Sequence, residues 1–341
     1  MAKIEFVDVT KAYPGARQPA VDGVSFVVRE GGICMLLGTS GSGKTTLLRM
    51  VNRLIDPTSG SILIDGVATT AQDAITLRRS IGYVIQQVGL FPHLTIEENV
   101  RVVPSILGKS ADETRERVDE LLTLVGLSPA EYRKRFPRQL SGGQQQRVGL
   151  ARAFAADPAV LLMDEPFGAL DAITRTRMQD ELLRIQRDMH KTILFVTHDV
   201  EEAFKLGDQI VVLTDGKLMQ EGTPVELLVA PANDFVAQLV GANNVVRQFE
   251  YLPVTMAMAM EESATPDAER IAADAPLLDG LLRLIQTGHT ALAVEENGEV
   301  RGEITLASIS RTLRERSLYP TTPAAVDDAA PREPASARPG A

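Results

Sequence analysis

One cysteine stands in the whole chain of 341 residues, so no disulfide can close within it. That residue, Cys34, lies in the apolar run Ile33 to Leu37, where a small buried hydrophobe is the expected role rather than a reactive thiol. Nowhere is there an uninterrupted apolar stretch of about 18 residues, the length that a membrane-crossing helix needs. The start MAKIEFVDVT also lacks the apolar core of a secretory leader, and the expectation is a cytosolic chain. A basic excess is missing too: residues 1–249 hold 27 bases and 30 acids, and residues 250–341 hold 8 and 15. Neutralising phosphates is the main source of nucleic-acid affinity, so DNA and RNA are not expected partners.

What is present is an ordinary globular composition, 44% hydrophobic and 23% charged, in a length that predicts one large domain and one small one. Three apolar runs, Ile33 to Leu37, Val160 to Met163 and Thr192 to Val196, do not alternate with polar residues and read as buried parallel strands. In such α/β sheets chemistry gathers beyond the carboxyl ends of the strands, where Gly38, Asp164 and His198 fall. Charged helical patterning over residues 95–156 predicts an inserted helical subdomain; Val118, Leu121, Leu122 and Val125 share one of its faces. A shift in composition near Ala242 to Pro253 ends the large domain, taken as residues 1–241. The last 23 residues, from Tyr319, hold five prolines among Ala, Asp and Arg and are expected to be disordered.

Gly38-Thr39-Ser40-Gly41-Ser42-Gly43-Lys44-Thr45 matches G-x-x-x-x-G-K-S/T, with a strand before it and a helix after it that would bury Leu47, Met50, Val51 and Leu54. Such a loop turns backbone N–H groups around a β-phosphate. Lys44 can reach the β- and γ-phosphates of ATP, Thr45 can ligate Mg²⁺, Thr46 continues the cradle, and the helix N-terminus favours the anion. Asp164 stands where a second carboxylate holds Mg²⁺ through water. Glu165 beside it is placed to polarise a water in line with the γ-phosphate.

Leu140-Ser141-Gly142-Gly143-Gln144 resembles the signature motif of ABC transporter ATPases. Its serine hydroxyl and glycine amides at a helix start suit a γ-phosphate. The resemblance covers residues 3 to about 241 and implies an α/β P-loop cassette. It also implies roles: Tyr13 resembles the aromatic that stacks on adenine, and Gln86 the glutamine that contacts Mg²⁺ and the attacking water, with Gln87 as the neighbouring candidate. Asp171 in Gly168-Ala169-Leu170-Asp171 looks like the residue that crosses a dimer interface, and His198 in Val196-Thr197-His198-Asp199 like the histidine that senses the γ-phosphate. In that family the signature loop of one subunit closes on the cradle of another, so one copy of each motif implies a homodimer. Two membrane-spanning permease subunits, a substrate-binding protein acting through them and a place on the cytoplasmic membrane face are implied as well.

The run Gln86-Gln87-Val88-Gly89-Leu90-Phe91-Pro92-His93 is similar to that of osmoprotectant importers for glycine betaine, choline or carnitine, although polar amino-acid importers share much of it. It would lie where a permease docks. After it, residues 250–318 predict a small α+β domain: a helix face of Leu277, Leu281, Leu284 and Ile285, a strand from Thr290 to Val294, a turn at Asn297-Gly298, and a strand from Arg301 to Thr305 that leads into a helix. This resembles one cystathionine-β-synthase-type (CBS) repeat, which implies regulation. Ser308 replaces the aspartate that nucleotide-binding repeats carry at that place, so an adenosine ligand is not expected.

Overall fold

In the computed structural model, which describes residues 2–86, 89–259 and 268–316, β1 (Ile4–Lys11) pairs antiparallel with β2 (Val21–Val28). Phe6 and Phe26 stack across that pair with centroids 4.3 Å apart. The next strand, β3 (Ile33–Gly38), is buried along its whole length and starts a second sheet. Helix α1 (Lys44–Val51) follows and packs Leu47, Leu48, Met50 and Val51 into the core that the two sheets share. Leu54, expected on the same face, is instead 50% exposed. The helix has ended by then, and Arg53 turns the chain away with φ of 55°. Strands β4 (Ser59–Ile64) and β5 (Val67–Ala68) return to the first sheet, whose order is β2-β1-β4-β5.

Helix α2 (Ala74–Ser80) leads to β6 (Ile81–Val84), and a helical segment then interrupts the second sheet. It holds α3 (Ile96–Ile106), α4 (Ala111–Leu124), α5 (Pro129–Tyr132) and α6 (Gly142–Phe154). Reciprocal Thr95–Glu98, Ser110–Glu113 and Ser141–Gln144 capping boxes start three of these helices, satisfying N–H groups that no turn of helix can reach. The inward stripe of α4 includes Val118, Leu121 and Leu122, with Val125 buried just beyond its end. Strand β7 (Val160–Asp164), α7 (Ala172–Met189), β8 (Thr192–Val196), α8 (Val200–Leu206), β9 (Gln209–Thr214) and β10 (Lys217–Gly222) complete the six-stranded sheet, in the order β10-β9-β3-β8-β7-β6. Its strands are parallel except for the β9–β10 hairpin. The first unit ends with α9 (Pro224–Val229), α10 (Asp234–Val240) and α11 (Val245–Tyr251). That unit runs to Tyr251, and Arg247 and Tyr251 hold α11 to Glu201 of α8.

The second unit begins at Leu252. It contains β11 (Arg270–Ala272), α12 (Leu277–Thr287), β12 (Leu292–Glu296), β13 (Glu299–Ile304) and α13 (Leu306–Arg316). Strand β12 pairs parallel with β11 and antiparallel with β13, the hairpin turning at Asn297 and Gly298, both at positive φ. Leu277 and Leu284 are buried, but Ile285 is 62% exposed. Gly280 takes the innermost position instead: a Cβ there would lie 2.6 Å from Ile304 Cδ1, so α12 packs closely at that point. Among the described residues no helix is long and apolar enough to cross a membrane. Gln87, Val88 and the tail from Tyr319 lie outside the described residues.

Candidate functional site

Sheet register brings the chemistry together. Leu36 of β3 and Asp164 of β7 both lie opposite Val196 of β8, so Gly38, Asp164 and Thr197-His198 emerge at one edge of the sheet. Val84 of β6 faces Met163, which delivers Gln86 to the same edge. A cavity of about 470 Å³ opens there, lined by Ser40 to Thr46, Ala20, Gln86, Glu165 and His198.

Within the cradle Gly43 sits at φ of 98°, and a Cβ on it would come 2.5 Å from Ala20 O. Only glycine combines that turn with so close an approach. Lys44 is 7% exposed, and its Nζ donates to Gly38 O at 2.8 Å, Thr39 O at 2.7 Å and Ser42 Oγ at 3.3 Å. Burial pushes the ammonium below its ordinary pKa, and the nearby Glu165 and Asp164 charges oppose that shift.

Glu165 leaves β7 in the left-handed region, φ 47°, a conformation that costs a non-glycine residue roughly 1–3 kcal/mol. Its N–H is held by Val196 O at 3.0 Å. The carboxylate is gripped from both sides: Gln86 Nε2 donates to Oε2 at 2.9 Å, and His198 Nδ1 lies 3.1 Å from Oε1. Three loops after three different strands thus converge on one carboxylate.

Asp164 is 1% exposed and accepts from Thr45 Oγ1 at 2.9 Å through Oδ1. Its Oδ2 is buried without a hydrogen-bond partner, and the Arg49 guanidinium stands 3.8 Å away. Burial raises the pKa of this carboxyl, while the Thr45 hydroxyl and Arg49 pull it back. One hydroxyl and one buried carboxylate with a spare oxygen suit a hard cation that arrives on phosphates, the usual way in which Mg²⁺ is held.

The remaining candidates lie outside this cavity. Ser141 caps α6 with its hydroxyl, accepting from Gln144 N–H at 3.3 Å, and Gln144 Oε1 accepts from Ser141 N–H at 2.9 Å. Ser141 and Gly142 are exposed; Gly143 is half-buried, near Leu170. Asp171 caps α7, accepting from Thr174 N–H at 3.0 Å, and that bond holds its carboxyl below the usual range. Tyr13 is 41% exposed, with Lys11 Nζ 5.4 Å from the centre of its ring. Buried Cys34 is pushed up by burial, away from thiolate chemistry.

A family model described as ABC transporter matches residues 21–168. The osmoprotectant import ATP-binding protein OsmV of Salmonella typhimurium is 51% identical over 251 residues, which cover 73% of this chain and 65% of that protein. The glycine betaine/carnitine/choline transport ATP-binding protein OpuCA of Bacillus subtilis is 42% identical over 318 residues, 93% of this chain and 82% of that one. The chain belongs to the ABC transporter ATP-binding family. Among solved structures, a dimeric ATP-binding cassette in a post-hydrolysis state bound to ADP and Pi superposes with a TM-score of 0.60 at 36% identity, covering 64% of this chain and 98% of that one. The match to OsmV thus stops just short of two thirds of that relative's length.

Some features of this ABC cassette carry no sequence signal. Ala20 enters the cavity from the β1–β2 connection, and Arg49 reaches Asp164 from the outer side of α1. Glu202 is 6% exposed and accepts from Gln179 Nε2 at 3.1 Å, directly behind the His198 loop. A glutamate in a charged helix reads as solvated; only the packing of α8 on α7 buries it.

Proposed function

We propose that the chain is the ATP-hydrolysing subunit of an ABC importer, working as a homodimer on the cytoplasmic face of the plasma membrane. The observation that carries this reading is Glu165, held between Gln86 and His198 at the mouth of the Lys44 cradle. In this role Glu165 takes a proton from a water as the water oxygen bonds to the γ-phosphorus; the bond from that phosphorus to the bridging oxygen breaks, and ADP leaves with the electron pair. Residues Gly38 to Thr46 bind the phosphates of ATP, and Tyr13 stacks its exposed ring on the adenine. Thr45, Asp164 and Gln86 would hold Mg²⁺, which would supply charge stabilisation for the phosphates during transfer. Ser141, Gly142, Gly143, Gln144 and Asp171 serve the partner's ATP. The exposure of Ser141, Gly142 and Asp171 at two helix starts away from this chain's own cavity supports that assignment.

The cargo we infer is a quaternary-amine osmoprotectant such as glycine betaine or choline, delivered by a substrate-binding protein to permease subunits. The transport of osmoprotectants, glycine betaine, carnitine and choline for which the relatives at 51% and 42% identity are named supports it. For the second unit, the order strand, helix, strand, strand, helix supports a single CBS-like regulatory repeat over residues 250–318. Ser308 Oγ accepts from Thr305 N–H and Thr305 Oγ1 from Ser308 N–H, both at 3.0 Å. With those hydroxyls committed to capping α13, regulation without an adenosine ligand is the better reading.

Vesicles containing the chain, its permease and the binding protein test the proposal. ATP-driven uptake of labelled choline or glycine betaine, with none of glutamine, is expected. Glutamine uptake without either amine would replace the cargo with a polar amino acid, and ATP hydrolysis absent under all conditions would reject the enzyme.

A further inference from the structure

The helix that closes the first unit is fastened to the helix that follows His198. Arg247 on α11 pairs with Glu201 Oε1, and Tyr251 Oη donates to Glu201 Oε2 at 3.1 Å. Arg247 also donates to Val240 O at 2.6 Å and lies 5.8 Å from the ring centre of Phe204, which in turn meets the Tyr251 ring edge-on at 5.0 Å. With its side chain only 16% exposed and engaged by a carboxylate, a carbonyl and a ring, Arg247 differs from a surface lysine that pairs in passing.

From Glu201 the connection runs on to the site in two short links. The Glu201 N–H donates to Asp199 Oδ1 at 2.9 Å, forming the cap that starts α8, and the Asp199 N–H donates to Thr197 Oγ1 at 3.0 Å. His198 lies between those two residues. Its side chain is 68% exposed, so packing does little to orient the ring, which is placed by its backbone and by the Glu165 carboxylate. On the other side α7 holds the same turn, through Arg175 at 3.7 Å from Asp199 Oδ2 and Gln179 on Glu202. Helix α8 is thus held from two directions, one of which is α11.

We propose that Arg247 and Tyr251 are positioning residues for His198, acting through Glu201 and the Asp199 cap. This rests on the reading of His198 as part of the hydrolytic site. Because Tyr251 is joined directly to Leu252, the clamp also lies on the covalent route from the second unit to the site.

The test uses the full chain and two readouts, steady-state ATP hydrolysis and the imidazole NMR resonances. The chain has only four histidines, His93, His190, His198 and His289, and His198→Ala assigns the signal of interest by its disappearance. Arg247→Ala is expected to lower kcat about three- to tenfold with the KM for ATP within twofold, and to move the His198 resonance while the other three stay in place. Arg247→Lys should recover at least half of kcat, and Tyr251→Phe, which removes one hydroxyl, should cost about twofold. An unmoved His198 resonance, or a moved resonance with kcat unchanged, overturns the proposal and leaves the site reading intact. Wild-type kcat in His198→Ala overturns the site reading itself, and the proposal falls with it.

Discussion

His198 and Glu165 meet through Nδ1 and Oε1 at 3.1 Å although they follow different strands, and the other Glu165 oxygen receives Gln86. The carboxylate is thereby fixed in direction before any nucleotide is considered. A group so held contributes by position as well as basicity.

Replacing Glu165 with Gln keeps the shape and a hydrogen-bonding oxygen but removes the base. Hydrolysis should slow by on the order of 10² to 10⁴, the range for losing a positioned acid-base group, with ATP affinity retained. Calorimetric titration alongside a phosphate-release assay checks both halves. Hydrolysis at the unmodified rate would assign the catalytic carboxylate elsewhere.

Lys44→Ala should act on binding instead. The charge-assisted bonds that a lysine makes to phosphate oxygens are worth about 1.5–3 kcal/mol, so the Kd for a non-hydrolysable ATP analogue should rise about tenfold or more. An unchanged Kd would show that Lys44 stays with Gly38 O and Thr39 O when nucleotide binds.

Burial raises the pKa of Glu202, with bonds from Thr197 and Gln179 pulling the other way. A carboxyl with a raised folded-state pKa adds stability below its unfolded pKa and loses that contribution as pH rises through the folded value. Glu202→Gln removes this titration while leaving an oxygen for Gln179. The variant should therefore gain stability relative to the parent as pH rises from the ordinary carboxylate range to neutrality. Urea midpoints measured at acidic and neutral pH provide the check, and an equal difference at both would mean that the group does not titrate with folding.

The homodimer proposal can be tested by mixing. Combining a Lys44→Ala chain with a Ser141→Arg chain should give dimers in which one site is damaged twice and the other keeps both motifs. Partial recovery of hydrolysis over either homodimer is expected. Demonstrated mixed dimers with no recovery would count against sharing of sites between subunits.

How much of this was legible depends on how local each signal is. The cradle is contiguous from Gly38 to Thr45, and its strand and helix were visible in the apolar runs on either side. Asp164, Glu165 and His198 could be set at strand ends because parallel buried strands show as unbroken apolar runs. The outward rotation of Ile285 was not readable, since periodicity gives a helix face but not which member of it meets a neighbour as close as Ile304.

By itself the sequence determined the three buried strands that carry the site, the phosphate loop, the helix start at Ser141, and the order in which they occur, because each depends on residues a few positions apart. Only the tertiary structure decided that β8 lies between β3 and β7, so that His198 comes within 3.1 Å of Glu165. Register between strands far apart in the chain is set by how whole faces pack, and no local pattern encodes it. The same holds for the Arg247–Glu201 clamp and for buried Glu202. A charged residue on a helix reads as solvated until another helix covers it, and which helix does so is a property of the assembled core.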